Sequence, residues 1–161
     1  MQSSTLLIVW HSRTGASRQL ANAAAEGAGS SGSLVYANDI DPAALLAASG
    51  YLFVGPENLG ALSGTVKEMF DRCYYPLLGQ LEGRAYASIT AAGSDGTGAV
   101  RQLDRIVTGW RLRRVAEPLI VCTDAQSAET IQADKQVPAE RLDEAHELGA
   151  ALAEGLNAGI F

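Results

Sequence analysis

Five short apolar runs rich in β-forming residues, at 5–10, 34–37, 51–56, 84–91 and 117–122, alternate with stretches whose apolar residues recur at helical spacing. This alternation constrains the chain more than any other feature. A parallel strand can follow its predecessor only through a crossover of about a dozen residues or more, usually a helix. Strands covered by helices on both faces read as continuous apolar runs, as these do. The expected fold class is therefore α/β, a three-layer sandwich with a five-stranded parallel sheet and helices on both faces. The pattern predicts helices at 16–28, at 42–47 behind an Asp41 cap with Pro42 in the first turn, and after a Ser63 cap. The third carries a stripe of Val66, Met69, Phe70, Cys73, Tyr74 and Leu77. A fourth helix shows Val100, Leu103, Val107 and Trp110 on one face, and a last one, opened by Pro138, turns Leu142, Ala145, Leu148, Leu152 and Leu156 inward. Residues 123–137 read as irregular.

A length of 161 residues suits a single domain, 1–161, at ~100–200 residues per domain. About two-thirds of the chain's surface can be buried at this size, enough for one core. With 47% hydrophobic and 19% charged residues, the composition excludes intrinsic disorder. Twelve Lys and Arg against eighteen Asp and Glu give a net charge of −6, which argues for solubility and against a nucleic-acid partner. Arg111, Arg113 and Arg114 form the one basic cluster and read as a solvated helix end. Cys73 and Cys122 both lie in apolar runs and are expected as buried thiols; clustered metal ligands are absent from the sequence. No run approaches the ~18 apolar residues of a membrane span. Residues 1–5 lack the basic start and long apolar stretch of an export signal, so a cytoplasmic location is the expectation.

Open α/β sheets bind ligands beyond the C-terminal ends of their strands. Three loops emerge there. The first holds Ser12, Arg13, Thr14, Gly15, Ala16 and Ser17, whose hydroxyls and helix-start N–H groups can cradle an anion. It lacks the Gly-Lys-Ser/Thr of a Walker loop and the three spaced glycines of a dinucleotide fingerprint, although Asp39 follows the second strand where a ribose acid would stand. A serine-rich turn with a capping hydroxyl is the plain alternative. The second loop, with Pro56, Glu57, Asn58, Leu59 and Gly60, and the third, with Gly93, Ser94, Asp95 and Gly96, offer small residues and backbone amides suited to a flat polar ring. Tight turns would use the same glycines; three such loops on one edge favour a cofactor.

The order Ser12-x-Thr14-Gly15-x-Ser17 after an initial strand resembles the FMN phosphate loop of the flavodoxin superfamily. The segment from Tyr51 through Pro56, Glu57 and Asn58, followed by Leu62-Ser63-Gly64 and a helix near Asp71 and Arg72, is similar to the FMN-dependent NAD(P)H:quinone and FMN reductases of that superfamily. The resemblance spans nearly the whole chain. It implies a flavodoxin-like fold with FMN at the strand ends. By this resemblance Ser12, Arg13, Thr14, Gly15, Ala16 and Ser17 hold the phosphate; Pro56, Glu57, Asn58, Leu59 and Gly60 line one ring edge; and Gly93, Ser94, Asp95 and Gly96 reach the pyrimidine end. NADH or NADPH would be the co-substrate and a quinone or flavin the acceptor.

Electron-carrier flavodoxins usually sandwich the ring between aromatics of the second and third loops, and neither loop here has one. That departure favours an enzyme whose open ring face receives a nicotinamide; a flavodoxin-type carrier and a flavin-free partner-binding domain are the alternatives. The cofactor does the chemistry in such enzymes, so no side chain is nominated as catalytic. Other doubly wound readings fail on residues. Val54, Gly55 and Pro56 stand where a receiver domain needs an Asp, the first loop lacks the Cys of a small phosphatase, and no nucleophile elbow of a serine hydrolase occurs. His11 is expected as a partly buried, hydrogen-bonded side chain, His146 as solvent-facing and Trp110 as core. One of Tyr74 and Tyr75 is core by spacing, which leaves the other for the pocket rim or a homo-oligomer contact.

Overall fold

The computed structural model describes residues 3–161; Met1 and Gln2, part of the stretch read for an export signal, lie outside the described residues. The chain runs β1 (Leu6–Trp10), α1 (Ala16–Ala28), β2 (Gly32–Tyr36), α2 (Pro42–Ala47), β3 (Gly50–Asn58), β4 (Ala61–Leu62), α3 (Gly64–Cys73), β5 (Ala85–Ala92), α4 (Thr97–Gly109), β6 (Arg113–Arg114), β7 (Leu119–Cys122), α5 (Ala128–Gln132) and α6 (Ala139–Asn157). The parallel sheet has the order β2-β1-β3-β5, with β6 and β7 both on the outer edge of β5.

Seven strands replace the five expected, for two local reasons. The fifth position is split. Ala85 and Tyr86 pair with Arg113 and Arg114, whereas Ile89 to Ala92 pair with Leu119 to Cys122. Residues 115–118 separate the two pieces; the Val115 N–H still donates to the Tyr86 carbonyl at 3.0 Å, and Pro118 has no N–H to give the ladder. The other extra strand is β4, which folds back antiparallel on the end of β3, pairing Glu57 with Leu62 and Asn58 with Ala61.

The two faces of the sheet are filled differently. Leu6, Ile8, Leu52, Ala87 and Ile89 meet the alanine-rich face of α1 and the inner face of α6. Small residues let these two helices approach backbone to backbone. A Cβ placed on Gly27 would stand 2.0 Å from the His146 carbonyl oxygen, and one on Gly149 would stand 2.0 Å from that of Ala24. The opposite face is aromatic: Tyr51 and Phe53 from the sheet, Phe70 from α3 and fully buried Trp110 after α4. The Trp110 indole donates to the Tyr74 carbonyl at 2.9 Å and stacks on the Tyr74 ring. Tyr75 is the exposed member of that pair.

Three expectations need correction. Cys73 is buried, but Cys122 is exposed. It is the last residue of the edge strand and alternates away from core residue Val121. The basic trio does not end a helix: Arg111 follows the turn after α4 with a positive φ, and Arg113 and Arg114 form β6. All three are solvated, and Arg114 pairs with Asp104 at 3.2 Å. Residues 123–137 are not wholly irregular, because α5 forms there with a Ser127–Thr130 capping box. No helix of the described residues is long and apolar enough to cross a membrane.

Candidate functional site

All the β-to-α loops expected at the site converge at the C-terminal end of the sheet, over β1, where the strand order reverses. They surround a cavity of about 640 Å³, within the ~300–1,000 Å³ typical of small-molecule sites. Ser12, Arg13, Thr14, Ala16 and Ser17 line one side, residues 56–60 a second, and Ala91, Ala92, Gly93 and Ser94 the base of a third. Among the described residues no aromatic side chain stands on this wall.

The first loop is built around the start of α1. Ser12 Oγ accepts from the Gly15 N–H at 3.0 Å, and Gly15, with φ 99°, turns the chain into the helix. The other early helices have their first turns stoppered: Asp41 caps α2, Ser63 caps α3 and Ser127 caps α5. No side chain caps α1, and its first turn carries no acidic residue. Its N-terminal N–H groups, with the positive end of the helix dipole, face the cavity loop. Ser17 sits in this turn, 1% exposed, and its hydroxyl has no hydrogen-bond partner. An unpartnered buried hydroxyl is costly unless a ligand satisfies it.

In the second loop Leu59 and Gly60 have φ of 54° and 72°, the two-residue turn of the β3–β4 hairpin. Leu59 is fully exposed on the cavity rim. Glu57 ties this loop to the third. Its carboxylate accepts from the Gly96 N–H at 2.9 Å and the Ala99 N–H at 3.0 Å, so it caps α4 from across the site. Gly98 makes the approach possible, since a Cβ there would stand 2.1 Å from the Gly60 carbonyl oxygen.

Three of the expected site residues stand off the cavity wall: Gly15, Asp95 and Gly96. Gly15 is consumed by the turn, Asp95 accepts from the Thr97 hydroxyl at 2.8 Å, and the Gly96 N–H is taken by Glu57. Conversely, the sequence reading missed a fourth group, Thr123, Ala125, Ile131, Gln132 and Lys135, from the segment it left without a role. Lys135 is bound to the first loop through its backbone, its N–H donating to the Thr14 carbonyl at 2.8 Å. Only its being one of two lysines in the chain set it apart in the sequence.

His11 and Ser63 share a buried hydrogen bond of 2.8 Å beneath the first loop, as expected for a structural histidine. Burial, and then the nearby Arg13 charge, hold its pKa below the ordinary 6.5. His146 is exposed on α6. Among the described residues no group of three or more His, Cys, Asp or Glu side chains could hold a metal ion.

A parallel sheet of this order with helices on both faces is a flavodoxin-like fold, shared with the solved structures that superpose on it. Comparison with known proteins agrees, although no family model matches the chain. A flavodoxin of Aquifex aeolicus is 31% identical over 97 residues, which cover 58% of this chain and 52% of that protein. The chain thus spans about half the length of that curated relative. Among solved structures, a WrbA-like flavodoxin from Agrobacterium tumefaciens superposes with a TM-score of 0.72 at 22% identity, covering 97% of this chain and 99% of that one. An archaeal flavodoxin gives 0.75 at 14% identity, covering 94% and 98%. The Flv1 flavodiiron core from Synechocystis sp. PCC6803 gives 0.76 at 16% identity, covering 98% of this chain and 37% of that one.

Proposed function

We propose that this chain is an FMN-dependent oxidoreductase that takes electrons from NADH or NADPH and passes them to a quinone or flavin acceptor. The observation that carries the FMN reading is the start of α1, with free N–H groups, no acidic side chain and a buried Ser17 hydroxyl without a partner. A phosphate there would satisfy Ser17 and complement the helix dipole, with Ser12 and Thr14 supplying further hydroxyls. When bound, FMN supplies a group that accepts two electrons and returns them singly or in pairs. The side chains do the rest. Ala91, Ala92 and Gly93 leave the base of the cavity open to a flat ring, residues 56–60 supply backbone groups along a second side, and Leu59 stands free at the rim.

The enzymatic reading rests on the absence of an aromatic from the cavity wall, which leaves room for a nicotinamide beside the flavin. No acid or base of this chain is required. A flavodoxin-type electron carrier is the second reading, favoured by the match to the Aquifex flavodoxin. Titration of the purified chain with FMN tests the common ground. Quenched flavin fluorescence and a shifted visible spectrum are expected, and no response at high micromolar FMN would leave a flavin-free domain that binds a partner.

A further inference from the structure

We infer that Lys135, carried on the segment between α5 and α6, is the counter-charge for the phosphate bound at α1 and sets the preference for a phosphorylated flavin. The inference rests on the FMN reading above and goes beyond its phosphate loop.

Lys135 is held beside that loop from both sides. Its N–H donates to the Thr14 carbonyl at 2.8 Å, and its own carbonyl accepts from the Gln19 side-chain amide at 2.8 Å. The same Gln19 accepts from the Val137 N–H at 3.1 Å, so one side chain of α1 clamps the backbone on both sides of the lysine. The half-buried side chain lines the cavity. Its ammonium donates to the carbonyls of Thr130 at 2.7 Å, Ile131 at 3.0 Å and Ala133 at 2.5 Å, and lies 3.5 Å from the Thr14 hydroxyl. Those carbonyls close α5. Among the described residues no carboxylate lies within ion-pair distance of the ammonium, whereas five other cations have one. A chain with net charge −6 therefore places an unneutralised cation against the one uncapped helix start that lines the cavity.

The charge balance explains why a lysine is wanted. A phosphate monoester carries nearly two negative charges at neutral pH, and a helix N-terminus offers about half a positive one. The Ser12, Thr14 and Ser17 hydroxyls orient a phosphate but add no charge. Arg13 on the exposed rim of the first loop and Lys135 are the two cations on the cavity wall, and Lys135, half-buried and held by backbone hydrogen bonds on both sides, is the one fixed in place. The ammonium has three rotatable donors, each now on a carbonyl at the end of α5, so it can exchange one of these neutral acceptors for a charged phosphate oxygen and keep the others.

The test compares FMN with riboflavin, which carries the same ring and ribityl chain without the phosphate. Dissociation constants from flavin fluorescence quenching are measured for the native chain, Lys135→Met and Lys135→Arg, at low and high salt. The native chain is expected to prefer FMN. Lys135→Met should reduce that preference roughly tenfold or more, as the loss of a charged hydrogen bond implies, and leave riboflavin affinity within about twofold. It should also flatten the salt dependence of FMN binding, and Lys135→Arg should restore most of both effects. Unchanged riboflavin binding shows that the methionine variant is folded. A preference retained in Lys135→Met, or equal losses for both flavins, overturns the role of Lys135 and leaves the FMN reading standing. A native chain that binds neither flavin overturns both.

Discussion

Leu59 is the residue whose conformation is hardest to explain by folding alone. It adopts the left-handed region, φ 54°, yet its side chain is wholly exposed and gains nothing from packing. A non-glycine residue there costs about 1–2 kcal/mol, and Asn is the residue such turns prefer before glycine. Leu59→Asn should therefore raise stability by about 1 kcal/mol, seen as a higher urea midpoint at constant slope. A strained apolar residue on a cavity rim suits contact with a ligand, so the same variant should weaken riboflavin as much as FMN. His11 makes the opposite kind of prediction. Its folded pKa lies below the unfolded 6.5 because burial and Arg13 disfavour its charge. The unfolded chain then binds more protons, so the contribution of His11 is complete above pH 6.5 and is lost as pH falls toward the folded value. Urea midpoints measured from pH 7.5 down to 5 should fall, and His11→Gln should flatten that limb.

The pairing of α1 with α6 fixes the helix that presents Ser17. Gly149→Ala would drive a methyl to 2.0 Å from the Ala24 carbonyl oxygen, and overpacking of that kind costs about 1–3 kcal/mol. The expected result is a lowered thermal midpoint with weakened FMN binding, because α1 must shift to admit the methyl. Glu57 links two other elements. Glu57→Ala removes both acceptors at the start of α4, at about 1–2 kcal/mol for a lost cap. These helices were legible in the sequence because their apolar spacing is regular. The bounds of α1 and α2 coincide with the run of alanines before Gly29 and with Asp41-Pro42. The hairpin was not legible, since Leu59-Gly60 lacks the Asn-Gly signature of its turn. Nor was the role of Glu57, whose partners lie about 40 residues on, nor the hydrogen bond of Lys135 to Thr14, 121 residues apart in the chain. Cys122 was misjudged because an apolar run does not say where an edge strand ends.

At the scale of the molecule, the parallel sheet collects every β-to-α loop on one edge, and the chain's charge is arranged around that fact. Arg13, Arg18 and Lys135 flank the first loop without an ion pair among the described residues, while Lys67, Arg72, Arg111, Arg114 and Arg141 each pair with a carboxylate elsewhere. An acidic protein with a cationic corner at its cavity attracts anionic small molecules there. FMN is one such molecule and a nicotinamide dinucleotide another. The wall free of aromatics is what favours the proposed enzyme over a carrier. A carrier that sandwiches its ring between aromatics excludes a second planar group, and among the described residues this cavity is lined by no aromatic. NADH or NADPH should therefore bleach the flavin of the FMN-loaded chain in anaerobic stopped flow, and benzoquinone should restore the colour. Because the corner cations act through charge, raising salt from 50 to 500 mM should slow the bleaching at subsaturating nicotinamide and leave the saturated rate nearly unchanged. Flavin that NAD(P)H leaves coloured, but that a one-electron donor reduces, would identify a carrier, with the open wall serving a protein partner at the ring edge.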